Sequence, residues 1–424
     1  MICQFTFENY KVFKQEATLD FIAEPIREHG ESLILDVHGR EKLIPVISIY
    51  GPNGGGKSTV LEALVFLRNV VLQAVLLMSP EKYKEGAEEV FSKPYLSAMH
   101  EVFYKFSAQG REMPTRFDIM FDADGCRFRY QLAVREHRIV EENLYYQKAG
   151  TGNVQLVFER SAEECVLGEE VEEVAVGKVS DTMPLLSHIA MNYDIETVDV
   201  VIQWFFSIAL LDYNNSKREK RIAMPNDADL RKRLFGMLEE MDIPIHEIRI
   251  EKDMDGNVRG VFTEHRTEDG GTCELRLEDE SSGTKKLLSC LARIMACLGE
   301  GTLMIADELD AKLHPKLLQY IIQLFTNPES NKNGAQLLLT SHDITTLNHD
   351  MFRRDEIWFC AKNPFGASML YSLASFRKED GTMIRSDEVY GKRYLEGRYG
   401  ADPYIRKILN WGQEENESKA EKGQ

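Results

Sequence analysis

The sequence predicts an α/β fold with a mixed sheet, an antiparallel β lobe and an inserted helical region. Three observations predict it. The apolar run Leu43 to Tyr50 leads into Gly51-Pro-Asn-Gly-Gly-Gly-Lys57-Ser58-Thr59, and a helical pattern follows to about Met78. A second apolar run, Thr302 to Ala306, ends in Asp307-Glu308. A third, Gln336 to Thr340, ends in Ser341-His342-Asp343. Short apolar runs of this kind read as buried strands, and the C-terminal ends of such strands are where α/β sheets gather ligand-binding residues.

Each further element follows from its local pattern. Phe5, Phe7, Tyr10 and Phe13 alternate with polar residues and precede Ala17-Thr-Leu-Asp-Phe21, which predicts two short strands at an antiparallel edge of the first lobe. Arg27 to Arg40 is polar and irregular, a loop. Val60 to Met78 is the longest apolar region, but Glu62, Arg68, Asn69 and Gln73 interrupt it, so it reads as a buried helix and not a membrane span. Lys82 to Lys93 mixes charges of both signs, as a solvated connection does. From Pro114 the period changes to two. Phe117, Ile119 and Phe121 alternate, Asp124-Gly125 turns the chain into Phe128, Tyr130 and Leu132, and Ile139 to Tyr146 and Val154 to Phe158 add two more strands. This meander is expected to extend the sheet that carries the glycine-rich loop.

Residues 163–245 change character. Glu163 to Lys178 is acidic, and Thr197 to Leu211 and Leu230 to Met241 are amphipathic helices, the second entered after Pro225-Asn-Asp and left at Pro244. Strands return at Ile245 to Glu251 and Val258 to Glu264, and a helix spans Lys285 to Leu298. The expected division is thus an N-terminal part of one α/β head at 1–162, an inserted helical region at 163–245, the C-terminal part of the same head at 246–412, and a charged tail at 413–424 expected to be disordered. No internal repeat is visible.

The stretch Gly51–Thr59 fits G-x-x-x-x-G-K-[ST] between a strand and a helix. In such a loop the backbone of Asn53, Gly54, Gly55 and Gly56 can turn its N–H groups toward a phosphate chain, and the helix opening at Lys57, Ser58 and Thr59 adds its positive end. Lys57 would reach the β- and γ-phosphates of ATP, and Ser58 would hold Mg²⁺. Asp307 would hold the same ion, directly or through water, and Glu308 is placed to polarise the water that attacks the γ-phosphate. His342, at the next strand end, would contact that phosphate. Ser281, Ser282 and Gly283 open the helix at Lys285 and form a second anion site; from this stretch alone the plainer reading is an N-cap. Arg385 to Tyr399 interleaves Lys392, Arg393 and Arg398 with Tyr390, Tyr394 and Tyr399. Such interleaving suits nucleic acid or a partner, while the acidic whole favours a solvated helix packed by its tyrosines.

The order of these motifs resembles the ATP-binding-cassette ATPases. The resemblance implies that Ser281 and Gly283 contact the γ-phosphate held by an opposite subunit, and that Asp310 lies in the D-loop. Glu280-Ser-Ser-Gly-Thr284 departs from Leu-Ser-Gly-Gly-Gln and is similar to the variant in OLD-type and abortive-infection ATPases. No Q-loop glutamine is identified; Gln131 is a candidate only because it lies in the strand region. Asn9-Tyr10, Asp307 through Pro315, Asp355 through Phe359, Leu370 through Leu373 and Tyr394 through Gly400 extend the likeness over nearly the whole chain. They resemble the ABC-type AAA-family ATPases of bacterial anti-phage and abortive-infection systems, of the RloA/AbiL type and related to the PARIS ATPase subunit and the OLD nuclease ATPase domain. The resemblance implies an ABC/SMC-like P-loop ATPase head and a homo-oligomer, at least a dimer, sandwiching two ATP molecules. It also implies a Toprim-like effector nuclease acting in trans, because only about eighty residues follow His342, too few for a second catalytic domain. A phage protein or nucleic acid would be the trigger.

Composition limits the alternatives. The 43% hydrophobic and 28% charged content of 424 residues suits a globular chain with a large core, and no basic n-region and apolar h-region open it. Seven scattered cysteines without C-x-x-C point to a reducing cytoplasm, with no membrane partner. A net charge of −18 argues against indiscriminate coating of nucleic acid but leaves room for a local basic groove. A DNA-repair or chromosome-maintenance ATPase of the RecF or SMC type is the alternative; the long arms and zinc-hook cysteines of the SMC-type repair ATPases are missing here. A transporter subunit fits poorly, because the Ser281–Gly283 segment comes so late after Lys57.

Overall fold

The computed structural model describes residues 1–78, 102–211, 228–241, 243–253, 258–310, 313–377, 384 and 388–400. The charged stretch Lys82 to Lys93 and the tail 413–424 lie outside the described residues. In chain order, β1 (Ile2–Glu8) and β2 (Ala17–Asp20) form a hairpin, and a ribbon of β3 (Ile34–Leu35) and β4 (Lys42–Leu43) leads to β5 (Val46–Tyr50) and α1 (Lys57–Met78). After α2 (Ala108–Glu112) comes the meander β6 (Thr115–Ala123), β7 (Cys126–Arg135), β8 (Arg138–Lys148), β9 (Gln155–Ser161) and β10 (Cys165–Leu167). Next are α3 (Leu185–Asn192), α4 (Glu196–Ser207), β11 (Ala209–Leu211), α5 (Ala228–Glu240), β12 (Ile245–Lys252), β13 (Val258–Arg266) and β14 (Thr272–Arg276). The chain then forms α6 (Ser282–Glu300), β15 (Leu303–Ala306), α7 (Pro315–Thr326), β16 (Gln336–Thr340), β17 (Ile357–Lys362), β18 (Ser368–Ser372) and α8 (Tyr390–Leu395).

Two large sheets organise these elements. A six-stranded sheet has the order β11-β15-β16-β5-β17-β18, parallel except at β18. A seven-stranded antiparallel sheet has the order β10-β9-β8-β7-β6-β1-β2. The period of two assigns the faces of the parallel sheet. Ile47 and Ile49 of β5, Leu303 and Ile305 of β15 and Leu338 of β16 join the core that contains α1. Val46, Tyr50, Met304, Ala306, Leu337 and Leu339 face the opposite core, shared with α6 and α7. Both faces are covered, as a parallel sheet requires.

The meander does not extend the sheet of the glycine-rich loop, as its sequence suggested; it forms a sheet of its own. β6 pairs with β1 and not with β5, whose two neighbours are β16 and β17. The physical reason lies in α1, whose apolar sides need cover beyond the parallel sheet. Phe117, Ile119 and Phe121 of β6 supply that cover from the other side. One residue fastens the two sheets: Gln336, buried, accepts from Ile2 N–H (2.7 Å) and donates to the Ile2 carbonyl (3.0 Å). The expected hairpin turn is present, with Asp124 (φ 44°) and Gly125 (φ 70°) both left-handed, the geometry that matches the twist of paired strands.

The segment 163–245 contains β10, α3, α4, β11 and α5, and it is woven into this frame: α3 and α4 pack on α1. The helix expected over Thr197 to Leu211 ends at Ser207 instead. Ala209–Leu211 form β11, which pairs in parallel with Met304–Ala306 and covers the backbone edge that β15 would otherwise expose. β14, every residue of it exposed, has no apolar alternation to announce it. α1 is the described helix long and apolar enough to cross a membrane, and it is buried between the two sheets.

Candidate active site

The site lies where the parallel strands end. β5 runs into Gly51–Gly56, and the chain enters α1 at Lys57. Gly51 (φ 150°), Gly54 (72°) and Gly56 (110°) take backbone angles that side chains resist. Space is also short. A Cβ at Gly51 would collide with the carbonyl oxygen of Cys360 on β17, and one at Gly56 would lie 2.8 Å from Ser368 Oγ and 3.0 Å from the Phe13 ring. The β17–β18 hairpin therefore braces the loop from outside, and Ser368 Oγ donates to the Gly55 carbonyl at 2.7 Å. Gly55 and Gly56 are buried, whereas Asn53 and Gly54 are exposed and Ser58 and Thr59 half-buried.

Lys57 is 6% exposed and folds back over its own loop, donating to the carbonyls of Gly51 (2.9 Å) and Pro52 (3.3 Å). Burial pushes its pKa below the ordinary lysine value, against the pull of the nearby Asp307, Glu308 and Asp310 carboxylates. Ser58 Oγ donates to Asp307 Oδ1 at 3.1 Å across 249 residues of sequence. The same oxygen accepts from Thr340 Oγ1 at 2.6 Å. A hydroxyl and a carboxylate oxygen converging at the first turn of a helix are the donor set a Mg²⁺ ion takes beside phosphate.

Glu308 follows Asp307 with φ 49°, a left-handed conformation costing about 1–2 kcal/mol for a residue with a side chain. Its N–H donates to Thr340 Oγ1 at 2.7 Å. His342 Nε2 lies 4.0 Å from Glu308 Oε1, both side chains partly exposed, and His342 N–H donates to Asp310 Oδ2 at 3.1 Å. The structure thus brings Lys57, Ser58, Asp307, Glu308 and His342 to one place.

Ser281, Ser282 and Gly283 are not bonded into that cluster: among the described residues, no hydrogen bond joins them to Gly51–Gly56. Ser281 caps α6, its hydroxyl accepting from Thr284 N–H at 3.0 Å. The adjacent Glu280 is held by Thr263 Oγ1 (2.5 Å) and His265 Nε2 (2.6 Å) of β13. Gln131 is engaged within the antiparallel sheet by Asp118 and Asn143. The tyrosines of the Arg385 to Tyr399 stretch pack inward; Tyr394 and Tyr399 lie 5.6 and 5.3 Å from the Phe359 ring. Sequence reasoning missed Thr340 and Ser368. A hydroxyl closing the apolar run Gln336 to Thr340 was a signal for the first; nothing local marks the second.

A glycine loop between β5 and α1, facing two carboxylates at the end of β15, defines the class: a P-loop nucleoside-triphosphatase domain of α/β fold. The family described as "AAA domain, putative AbiEii toxin, Type IV TA system" matches residues 46–348, and the chain belongs to it. Among solved structures it is similar to the SMC head bound to the C-winged helix domain of ScpA, at 13% identity and TM-score 0.45, covering 88% of this chain and 97% of that one. It is also similar to the SMC head domain from Thermotoga maritima, at 12% identity and TM-score 0.43, covering 88% and 98%. No curated protein matches the chain.

Proposed function

We propose that this chain binds and hydrolyses ATP in the cytoplasm and acts as a nucleotide-gated dimer, controlling a toxic effector in anti-phage defence. The observation that carries the catalytic part is the contact of Ser58 with Asp307, which joins the phosphate loop to Glu308 and His342 in one wall. In this reading the loop from Asn53 through Thr59 wraps the phosphates with its N–H groups, except that of Gly55, which donates to the Pro52 carbonyl (2.9 Å) and shapes the turn, and Lys57 leaves its own carbonyls for the β- and γ-phosphates. Ser58 and Asp307 hold Mg²⁺, which when bound neutralises charge on the phosphate oxygens. Glu308 orients the attacking water and takes its proton, and His342, beside Glu308, meets the γ-phosphate.

Ser281, Ser282 and Gly283 then serve a second copy of the chain. At the start of α6 the N–H groups of Ser282 and Gly283 lack intrahelical acceptors by helix geometry, while Thr284 and Lys285 donate to Ser281, so the first two suit a phosphate presented from outside. ATP bridging two subunits would bind the closed dimer better than the open chain, the differential affinity a switch needs. The family's description, which names a toxin of a type IV toxin–antitoxin system, supports a defence role. The effector we propose is a Toprim-like nuclease acting in trans, on the resemblance of the motifs to the RloA/AbiL-type ATPases. The test is turnover and size of the purified chain: ATP hydrolysis by the wild type, with Glu308→Gln arrested as an ATP-bound dimer, is expected. A wild type that binds no ATP overturns the reading. A Toprim-like gene beside this one supports the defence role, and a replication or repair gene there contradicts it.

A further inference from the structure

The ends of β15 and β16 are joined residue by residue. Asp307 Oδ1 accepts from Thr340 Oγ1 (2.6 Å), Glu308 N–H donates to the same hydroxyl (2.7 Å), and Leu309 N–H donates to the Thr340 carbonyl (3.3 Å). One residue later Asp310 accepts from the N–H of His342 (3.1 Å). Four consecutive residues on one strand end are thus fixed by the other. Thr340 is fully buried, so water does not compete for its hydroxyl. A threonine hydroxyl has one proton and two lone pairs. Here the proton goes to Asp307 and a lone pair takes the amide of Glu308, which sets the direction of both bonds.

That amide belongs to a residue in the left-handed region, φ 49°, where the chain would not stay unaided. We infer that Thr340 is a positioning residue for the proposed hydrolysis: its hydroxyl holds Glu308 in the left-handed turn and so fixes where the Glu308 carboxylate stands relative to Asp307. The inference rests on the proposed roles of Asp307 and Glu308. Thr340 touches neither phosphate nor water; it acts through the two carboxylate residues. Isosteric removal of the hydroxyl, Thr340→Val, leaves the Glu308 amide without its acceptor and Asp307 with Ser58 alone.

The experiment compares the wild type, Thr340→Val and Thr340→Ser in the full-length chain. Thr340→Val is expected to lower single-turnover hydrolysis about 10–100-fold, with ATP affinity kept within about threefold, because a displaced reacting group costs rate and not binding. Thr340→Ser, which restores the hydroxyl, is expected to regain most of the rate. Equal rates in Thr340→Val and wild type overturn the inference, as does a parallel loss of affinity and rate that serine fails to rescue. Amide hydrogen exchange of the segment 305–310 gives a readout independent of turnover. Faster exchange of the Glu308 amide in Thr340→Val is expected, and unchanged exchange overturns the lock. An inactive wild type combined with faster exchange in the variant supports the lock while counting against hydrolysis, so the two failures are distinct.

Discussion

The end of the parallel sheet and the start of α6 both offer groups suited to phosphate, but they hold them differently. At the sheet end, Ser58, Asp307, Thr340 and Glu308 are bonded to one another across three separate stretches of sequence. At the start of α6, the Ser281 hydroxyl is spent on the cap of its own helix, and Glu280 on the neighbouring strand. In the first region the reacting groups are held in place by one another, and groups so held lower the cost of organising a charged transition state. The second presents chiefly backbone N–H groups, directed away from its own helix. A site of the first kind is complete in polarity and open on one side; a site of the second kind suits a phosphate held by something else.

The largest test of this contrast is Glu308→Gln, expected to lower turnover by about 10²–10⁴-fold in a steady-state assay while ATP binding persists. Unchanged turnover would move catalysis elsewhere. Gly283→Asp should lower turnover about 10²–10³-fold, the effect of spoiling a phosphate-binding donor, yet leave ATP affinity of the isolated chain within about threefold. Mixing it with a Lys57→Ala subunit should restore at most one composite site; full turnover from either variant alone would refute a site shared between copies. Lys57→Ala should weaken ATP binding by roughly 100-fold or more, measured by titration calorimetry, since a charge-assisted contact is lost.

Smaller effects probe the brace around the loop. Gly56→Ala must accommodate a Cβ 2.8 Å from Ser368 Oγ at φ 110°, so a destabilisation of about 1–3 kcal/mol is expected in urea unfolding. The smallest effect concerns Lys57 itself. Burial lowers its pKa in the folded chain, so between that lowered value and the ordinary lysine value the unfolded chain holds more protons. Stability of the wild type should therefore rise with pH across this window, and Lys57→Met should lack that rise. Parallel pH slopes for the two proteins would show that the ammonium is not strained by its burial.

The parts of the site that were legible in sequence are those whose chemistry is local. Gly51–Ser58 and Asp307-Glu308 each close an apolar run, and the structure joins them through Ser58 and Asp307. The mutual placement of the sheets was not legible, because the alternation of Phe117, Ile119 and Phe121 states which side of a strand is apolar and not which strand lies beside it. β11 was hidden for a related reason: Ala209-Leu210-Leu211 continues the apolar pattern of α4, and only the open edge of β15 makes a strand of it. Ser368 braces Gly55 from 313 residues away, a pairing that no local pattern carries. Thr340 stood in view at the end of its run, but the hydroxyl acquires meaning only with Glu308 in a left-handed turn.

One consequence follows from the length of α1. Its 22 residues span about 33 Å at 1.5 Å per residue, from the loop lysine to the far side of the core. Packed against α3 and α4 and enclosed by both sheets, it is a strut, stiff over its whole length. A tilt of about 5° at Lys57 would carry Met78 through roughly 3 Å. One rigid element thus ties the glycine loop to the far end of the core, where Leu76 is buried, so the two ends of the molecule share a single lever.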